Sequence, residues 1–125
     1  MEAAAFSLNG VSFTYPTATA PAIDIHALSF EAGSFNVICG ASGSGKSTLL
    51  RTLKPTLTPH GKLTGEVLFF GESTKSLTPR DDAVNIGFVM QSPEDQVVCD
   101  KVWHELAFGL ECTGAPKELC RLWYI

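Results

Sequence analysis

From Val11 to Tyr15 apolar and polar residues alternate, with Val11, Phe13 and Tyr15 on one face and Ser12 and Thr14 on the other. A period of two predicts a half-buried strand, which Pro16 ends. IDIHALSF, residues 23–30, predicts a second strand with Ile23 and Ile25 sharing a face, and Gly33 then permits a turn. FNVICG, residues 35–40, is a short continuous apolar run and reads as a buried strand. A helix is predicted from Lys46 to about Lys54, because Pro55 disfavours helical backbone in the residue before it. GEVLFFG, residues 65–71, predicts another strand, and IGFVMQ, residues 86–91, is strand-like again. Between them LTPRDDAVN is polar, and Pro79 excludes a regular strand there. Asp100 is placed to cap a helix through KVWHELAFGLE, whose Trp103, Leu106, Ala107 and Leu110 share one face. Gly114 and Pro116 end that helix, and KELCRLWYI reads as the start of another. Strands, a glycine-rich loop, a helix, strands and then helices make an α/β architecture.

The loop itself, GASGSGKST at residues 40–48, carries the chemistry. Gly40, four residues, then Gly45, Lys46 and Ser47 complete the phosphate-loop pattern between a predicted strand and a predicted helix. Gly40, Gly43 and Gly45 let the backbone turn tightly with no Cβ in the way of a ligand. Successive amides through Ala41, Ser42 and Ser44 then form a concave anion site, and the helix start through Thr48 adds further N–H groups. Lys46 is expected to reach the β- and γ-phosphates, and Ser47 to ligate Mg²⁺. A merely flexible Gly/Ser loop does not account for the full pattern in this context. The expected ligand is a nucleotide with its metal.

Composition narrows this further. The 125 residues, 45% hydrophobic, hold one small domain and exclude global disorder. A net charge of −4 with no basic run argues against nucleic acid as a partner. No apolar stretch approaches the roughly 20 residues that span a bilayer, and the N-terminus lacks the pattern of a secretory signal. The expected location is therefore the cytoplasm. Cys39, Cys99, Cys112 and Cys120 have neither CxxC spacing nor pairing and read as free, mostly buried thiols of a reducing compartment.

With FTYP ahead of the phosphate loop and FVMQSPEDQVV after it, the chain resembles the ATP-binding subunit of ABC transporters, from near Phe6 to about Lys117. The resemblance implies a P-loop NTPase fold of ABC ATPase type, with ATP and Mg²⁺ as ligands. It implies that Tyr15 stacks on adenine and that Gln91, as the Q-loop glutamine, contacts the metal and the attacking water. PEDQVVCDKVWHELAFGLE is similar to the energy-coupling-factor subgroup, which drives uptake of vitamins and of cobalt or nickel ions. In that subgroup the segment corresponding to Pro93–Gly109 meets an integral membrane subunit, for which Trp103 and Phe108 are candidate anchors. A second ATP-binding subunit, identical or not, is the other implied partner, with the complex on the inner face of the membrane.

Other readings of the same residues are weaker. Tyr15 shares a face with Val11 and Phe13 and is also a candidate core aromatic. His104 lies among apolar helix residues, which favours packing or partner contact over catalysis, while His26 and His60 carry no motif. VVCD imitates a Walker B strand, but Lys101 stands where a catalytic glutamate belongs. The family's signature, Walker B and switch-histidine segments are not found before Ile125, and residues 118–125 are atypically apolar. These departures lead to an expectation of a partial ABC domain over residues 1–125, with a gapped parallel sheet, marginal stability and ATP binding without efficient hydrolysis. A non-hydrolytic nucleotide-binding module is the alternative. A small P-loop kinase is a weaker one, because Arg80 and Arg121 lie in no lid-like segment.

Overall fold

The computed structural model describes residues 4–122, and the chain divides into two compact units between Asp82 and Ala83. In the first unit, β1 (Ala4–Thr14), β2 (Ile23–Glu31), β3 (Lys62–Phe69) and the short β4 (Glu72–Ser73) form an antiparallel sheet in the order β2-β1-β3-β4. Phe13 pairs with Ile23, Val11 with Ile25 and Leu8 with Leu28, so the apolar face continues from strand to strand. Leu8, Val11, Phe13, Ile23 and Val67 of that face join Leu49 and Leu53 in one buried cluster.

β1 is more than twice as long as its alternation predicts, for a reason visible in its pairing. Opposite β3 the register slips between Asn9 and Ser12, so that Gly10 and Val11 together face Gly65. This bulge changes the phase of the strand: Phe6 and Leu8 face the core before it, Val11 and Phe13 after it. Gly10 has φ +57°, and a Cβ on Gly65 would lie 2.2 Å from the Gly10 carbonyl oxygen. Gly65 must lack a Cβ for the two backbones to cross this closely, while Gly10 supplies the left-handed turn.

α1 (Lys46–Thr52) follows the phosphate loop and ends within two residues of the predicted limit, with Pro55 opening a 3₁₀ turn through Leu57. Burial of Leu49 and Leu53 against the sheet fixes its orientation, each contributing roughly 1.5–3 kcal/mol. The polar segment after β4 forms a helix, α2 (Pro79–Asn85), across the division between the units. Thr78 accepts a hydrogen bond from the Asp81 amide at 3.1 Å, and Asp81 accepts one from the Thr78 amide at 3.2 Å. Pro79 sits in the first turn, where its missing N–H is harmless, so the residue that excludes a strand starts a helix. The Thr78 hydroxyl, which donates to the Asp81 carboxylate at 2.6 Å, and then the Thr78 amide hold that carboxyl below the usual carboxylate range. Its neighbour Asp82 is 1% exposed, 3.3 Å from Lys54 Nζ, and accepts hydrogen bonds from the amide and hydroxyl of Thr56. The buried carboxylate thus ties the turn after α1 to α2.

Two predicted strands do not form. Phe35–Gly40 and residues 86–91 carry no ladder, and among the described residues the sheet is antiparallel throughout. An apolar run supplies strand propensity, but a strand exists only where a second backbone takes its N–H and C=O groups. Phe35 is 94% exposed and Val37 70%.

The second unit contains α3 (Val102–Cys112) and α4 (Lys117–Leu122). α3 ends as predicted: Gly114 is left-handed, and the amides of Ala115 and Gly114 bond to the carbonyls of Leu110 and Glu111. Its start differs. Lys101, not Asp100, occupies the cap position, without a side-chain cap bond. Glu105 in the first turn instead accepts hydrogen bonds from the amides of Val98 (3.0 Å) and Cys99 (2.8 Å). Of the predicted apolar face only Ala107 is buried, whereas Trp103 and Leu106 are exposed. The cysteines are less buried than predicted: Cys39 and Cys112 are exposed free thiols and Cys99 is half-buried. Cys39 and Cys112 lie on segments that bury few side chains, and the side chain of Cys120 lies outside the described residues.

Candidate functional site

The loop from Gly40 to Gly45 joins the irregular segment after β2 to α1. Its last residue is the cap of that helix, at φ +94° and ψ 7°. A Cβ on Gly45 would lie 2.4 Å from the Ala22 carbonyl oxygen and 2.8 Å from Ile23 Cγ2. The loop therefore rests directly on the start of β2, a contact that no other residue type permits. Ala22 is itself held by a 2.7 Å bond from its amide to the Phe13 carbonyl. Gly43 is also left-handed, but the space around its missing Cβ is open.

Lys46 folds back over this loop. Its Nζ donates to the carbonyl oxygens of Gly40 (2.8 Å) and Ala41 (2.7 Å) and approaches Ser44 Oγ at 3.2 Å. The three donors of an ammonium group match these three acceptors. The loop closes further through the Ser44 amide on the Ala41 carbonyl at 3.2 Å. The amides of a helix's first turn have no intrahelical acceptor, so Lys46, Ser47 and Thr48 present a positive edge beside the ammonium group. Ser47 is exposed, and Thr48 turns inward and is buried. Ser42 is exposed on the loop.

Tyr15, immediately after β1, stands beside this turn. Its hydroxyl is 3.0 Å from Thr48 Oγ1, and its ring meets the Phe13 ring edge-on with centroids 4.9 Å apart. Tyr15 also lines an open cleft of about 510 Å³, shared with Pro16, Ala18, His60, Gly61 and Lys62. Tyr15 is half-buried, so one residue both packs on the core and lines the cleft. The structure thus brings together Tyr15, Gly40–Gly45, Lys46 and Thr48. Motif reading missed His60 and Lys62 as neighbours of Tyr15, since they come from the bend before β3 and the first residue of β3 and carry no local pattern.

Gln91 belongs to the second unit and is exposed, directly after residues 86–90, which form neither helix nor strand. After it, Pro93–Gln96 forms a 3₁₀ turn, and Gln96 bonds back to the backbone of Phe88 and Met90. Bonds from the Cys99 and Val98 amides hold the Glu105 carboxyl below its usual range, and burial pushes the Cys99 thiol up, helped by Glu105. Val102, Trp103, Leu106 and Phe108 leave much apolar surface exposed on α3. His104 packs against Trp103 and lies 3.7 Å from Asp100. Among the described residues no group of three or more His, Cys, Asp or Glu is arranged to hold a metal, and no helix is long and apolar enough to cross a membrane.

Three relatives extend these observations. A protein of Bacillus cereus, provisionally named ABC transporter ATP-binding protein, is 41% identical over 112 residues, which cover 90% of this chain and 20% of that protein. The Energy-coupling factor transporter ATP-binding protein EcfA1 of Lactobacillus acidophilus is 33% identical over 113 residues, covering 90% and 40%. The Nickel import ATP-binding protein NikO of Rhodobacter capsulatus is 38% identical over 123 residues, covering 94% and 46%. The chain spans about a fifth of the first relative's length and under half of the other two. The sequence profile of the ABC transporter family matches residues 23–107, from the start of β2 through the phosphate loop and into α3. The chain belongs to the ABC transporter family, through its ATP-binding domain.

Proposed function

We propose that this chain binds Mg·ATP at the loop Gly40–Ser47 as part of the energising subunit of an importer. The observation that carries the reading is Lys46 Nζ held inside the loop by Gly40, Ala41 and Ser44. The terminal phosphates of a nucleotide offer this ammonium group stronger, charged acceptors than neutral carbonyls. Ser47, exposed in the same turn, has the hydroxyl to ligate Mg²⁺ along with phosphate oxygens. Tyr15 offers the purine a ring on the open side of its cleft, and base–aromatic stacking contributes about 1–3 kcal/mol. Gln91 approaches the metal and the attacking water in this reading.

The relatives' names support an importer of the energy-coupling-factor type, with nickel uptake among the transported solutes they suggest. In such an assembly a second ATP-binding subunit shares the nucleotide, and the membrane partner contacts Pro93–Gly109 from the cytoplasmic side. The exposed Trp103 and Phe108 support that docking, since a buried aromatic anchor is the usual centre of an interface. ATP turnover belongs to the whole assembly in this account; the residues here supply the grip on nucleotide. Equilibrium dialysis of the chain with ATP, with and without Mg²⁺, tests the binding. Retention that Mg²⁺ strengthens supports it, and no retention at millimolar ATP contradicts it.

A further inference from the structure

The backbone ahead of Gln91 has an unusual partner. Phe88 to Met90 carries no ladder, and the side-chain amide of Gln96 bonds to its backbone instead. Oε1 of Gln96 accepts a hydrogen bond from the Met90 amide at 2.7 Å, and Nε2 donates one to the Phe88 carbonyl at 3.2 Å. One amide unit thereby bonds the C=O and the N–H on either side of Val89, the pattern a residue makes in a neighbouring parallel strand. The turn that returns Gln96 is closed by the Asp95 amide on Ser92 (3.1 Å) and the Val97 amide on Glu94 (3.3 Å). Glutamine suits the task because its side chain carries both a donor and an acceptor. Glutamate can accept from Met90 but, ionised, cannot donate to Phe88.

We propose that Gln96 is a positioning residue for Gln91. It takes the part of a strand neighbour to Phe88–Met90, fixes that backbone, and so sets the direction in which Gln91 leaves that segment. The inference rests on the reading of Gln91 as a metal contact, and it adds a residue that touches neither metal nor nucleotide.

The test uses the full chain and two readouts. Amide exchange at Met90, followed by NMR, reports the clamp with no ligand present. The gain in ATP affinity on adding Mg²⁺ reports the placement of Gln91. Gln96→Ala should exchange Met90 about fivefold faster, the change expected of one modest hydrogen bond. Gln96→Glu should keep Met90 protected, because its carboxylate still accepts. Gln96→Ala should also lower the Mg²⁺-dependent gain as Gln91→Ala does, with the double variant no worse than either, since the two act as one unit. Unchanged exchange at Met90 in Gln96→Ala overturns the clamp. Faster exchange with an intact Mg²⁺ gain, where Gln91→Ala lowers that gain, overturns the positioning role but leaves the reading of Gln91 standing. A Gln91→Ala variant with the full gain overturns that reading and the positioning role together, whatever happens at Met90.

Discussion

The hydroxyl of Tyr15 and Oγ1 of Thr48 lie 3.0 Å apart, joining the end of β1 to the first turn of α1. The ring that borders the cleft is thereby tethered to the helix that carries Lys46 and Ser47. A tyrosine here does more than offer a π-face: its hydroxyl fixes the distance between that face and the phosphate loop.

Removing this bond should cost about 1 kcal/mol, the typical net value of an intramolecular hydrogen bond. Tyr15→Phe and Thr48→Val are each expected to lower stability to urea by that order, and the double variant by little more than one of them. Strict additivity would show that the two residues do not communicate.

Gly45 gives a sharper contrast. A Cβ there meets backbone at 2.4 Å in a left-handed conformation, whereas Gly43 is left-handed in open space. Gly43→Ala should cost about 1–2 kcal/mol from backbone strain alone. Gly45→Ala adds overpacking against β2, for roughly 3 kcal/mol or more in total. Thermal melts of the two variants compare them directly, and equal losses would mean that the loop does not rest on β2.

These two positions illustrate what a linear reading captures. Gly45 and Lys46 sit in nine consecutive residues whose spacing dictates local geometry, so the loop and α1 were legible. The contact of Tyr15 with Thr48 crosses 33 positions and leaves no pattern in either segment. The first half of β1 was hidden because the bulge at Gly10 shifts the alternation by one residue. At Thr78–Asp81 the capping signal was present but masked by the polar composition around it. The opposite error occurs at Phe35 and Val37, where apolar character suggests a strand although pairing depends on another backbone.

Acid should loosen the start of α3. Glu105 has a depressed pKa in the fold because it accepts bonds from the Cys99 and Val98 amides. Its stabilising contribution is therefore complete above the unfolded value of about 4.3 and disappears as pH falls through the lower folded value. The protection of the Val98 and Cys99 amides, relative to their intrinsic exchange rates, should fall below about pH 4.3. In Glu105→Gln that added acid dependence should vanish. The same dependence in the variant would assign it to another group.

The most direct measurement of the central claim is calorimetric titration of Mg·ATP into the chain and into Lys46→Ala. Charged hydrogen bonds contribute roughly 1.5–3 kcal/mol each, so the variant should bind about tenfold more weakly or worse. A melting curve of each protein separates lost affinity from lost fold, since Lys46 also braces Gly40 and Ala41. Saturable binding by the wild type that weakens in the folded variant is the predicted result. Equal affinity in two folded proteins would contradict the assignment of this loop as the nucleotide site.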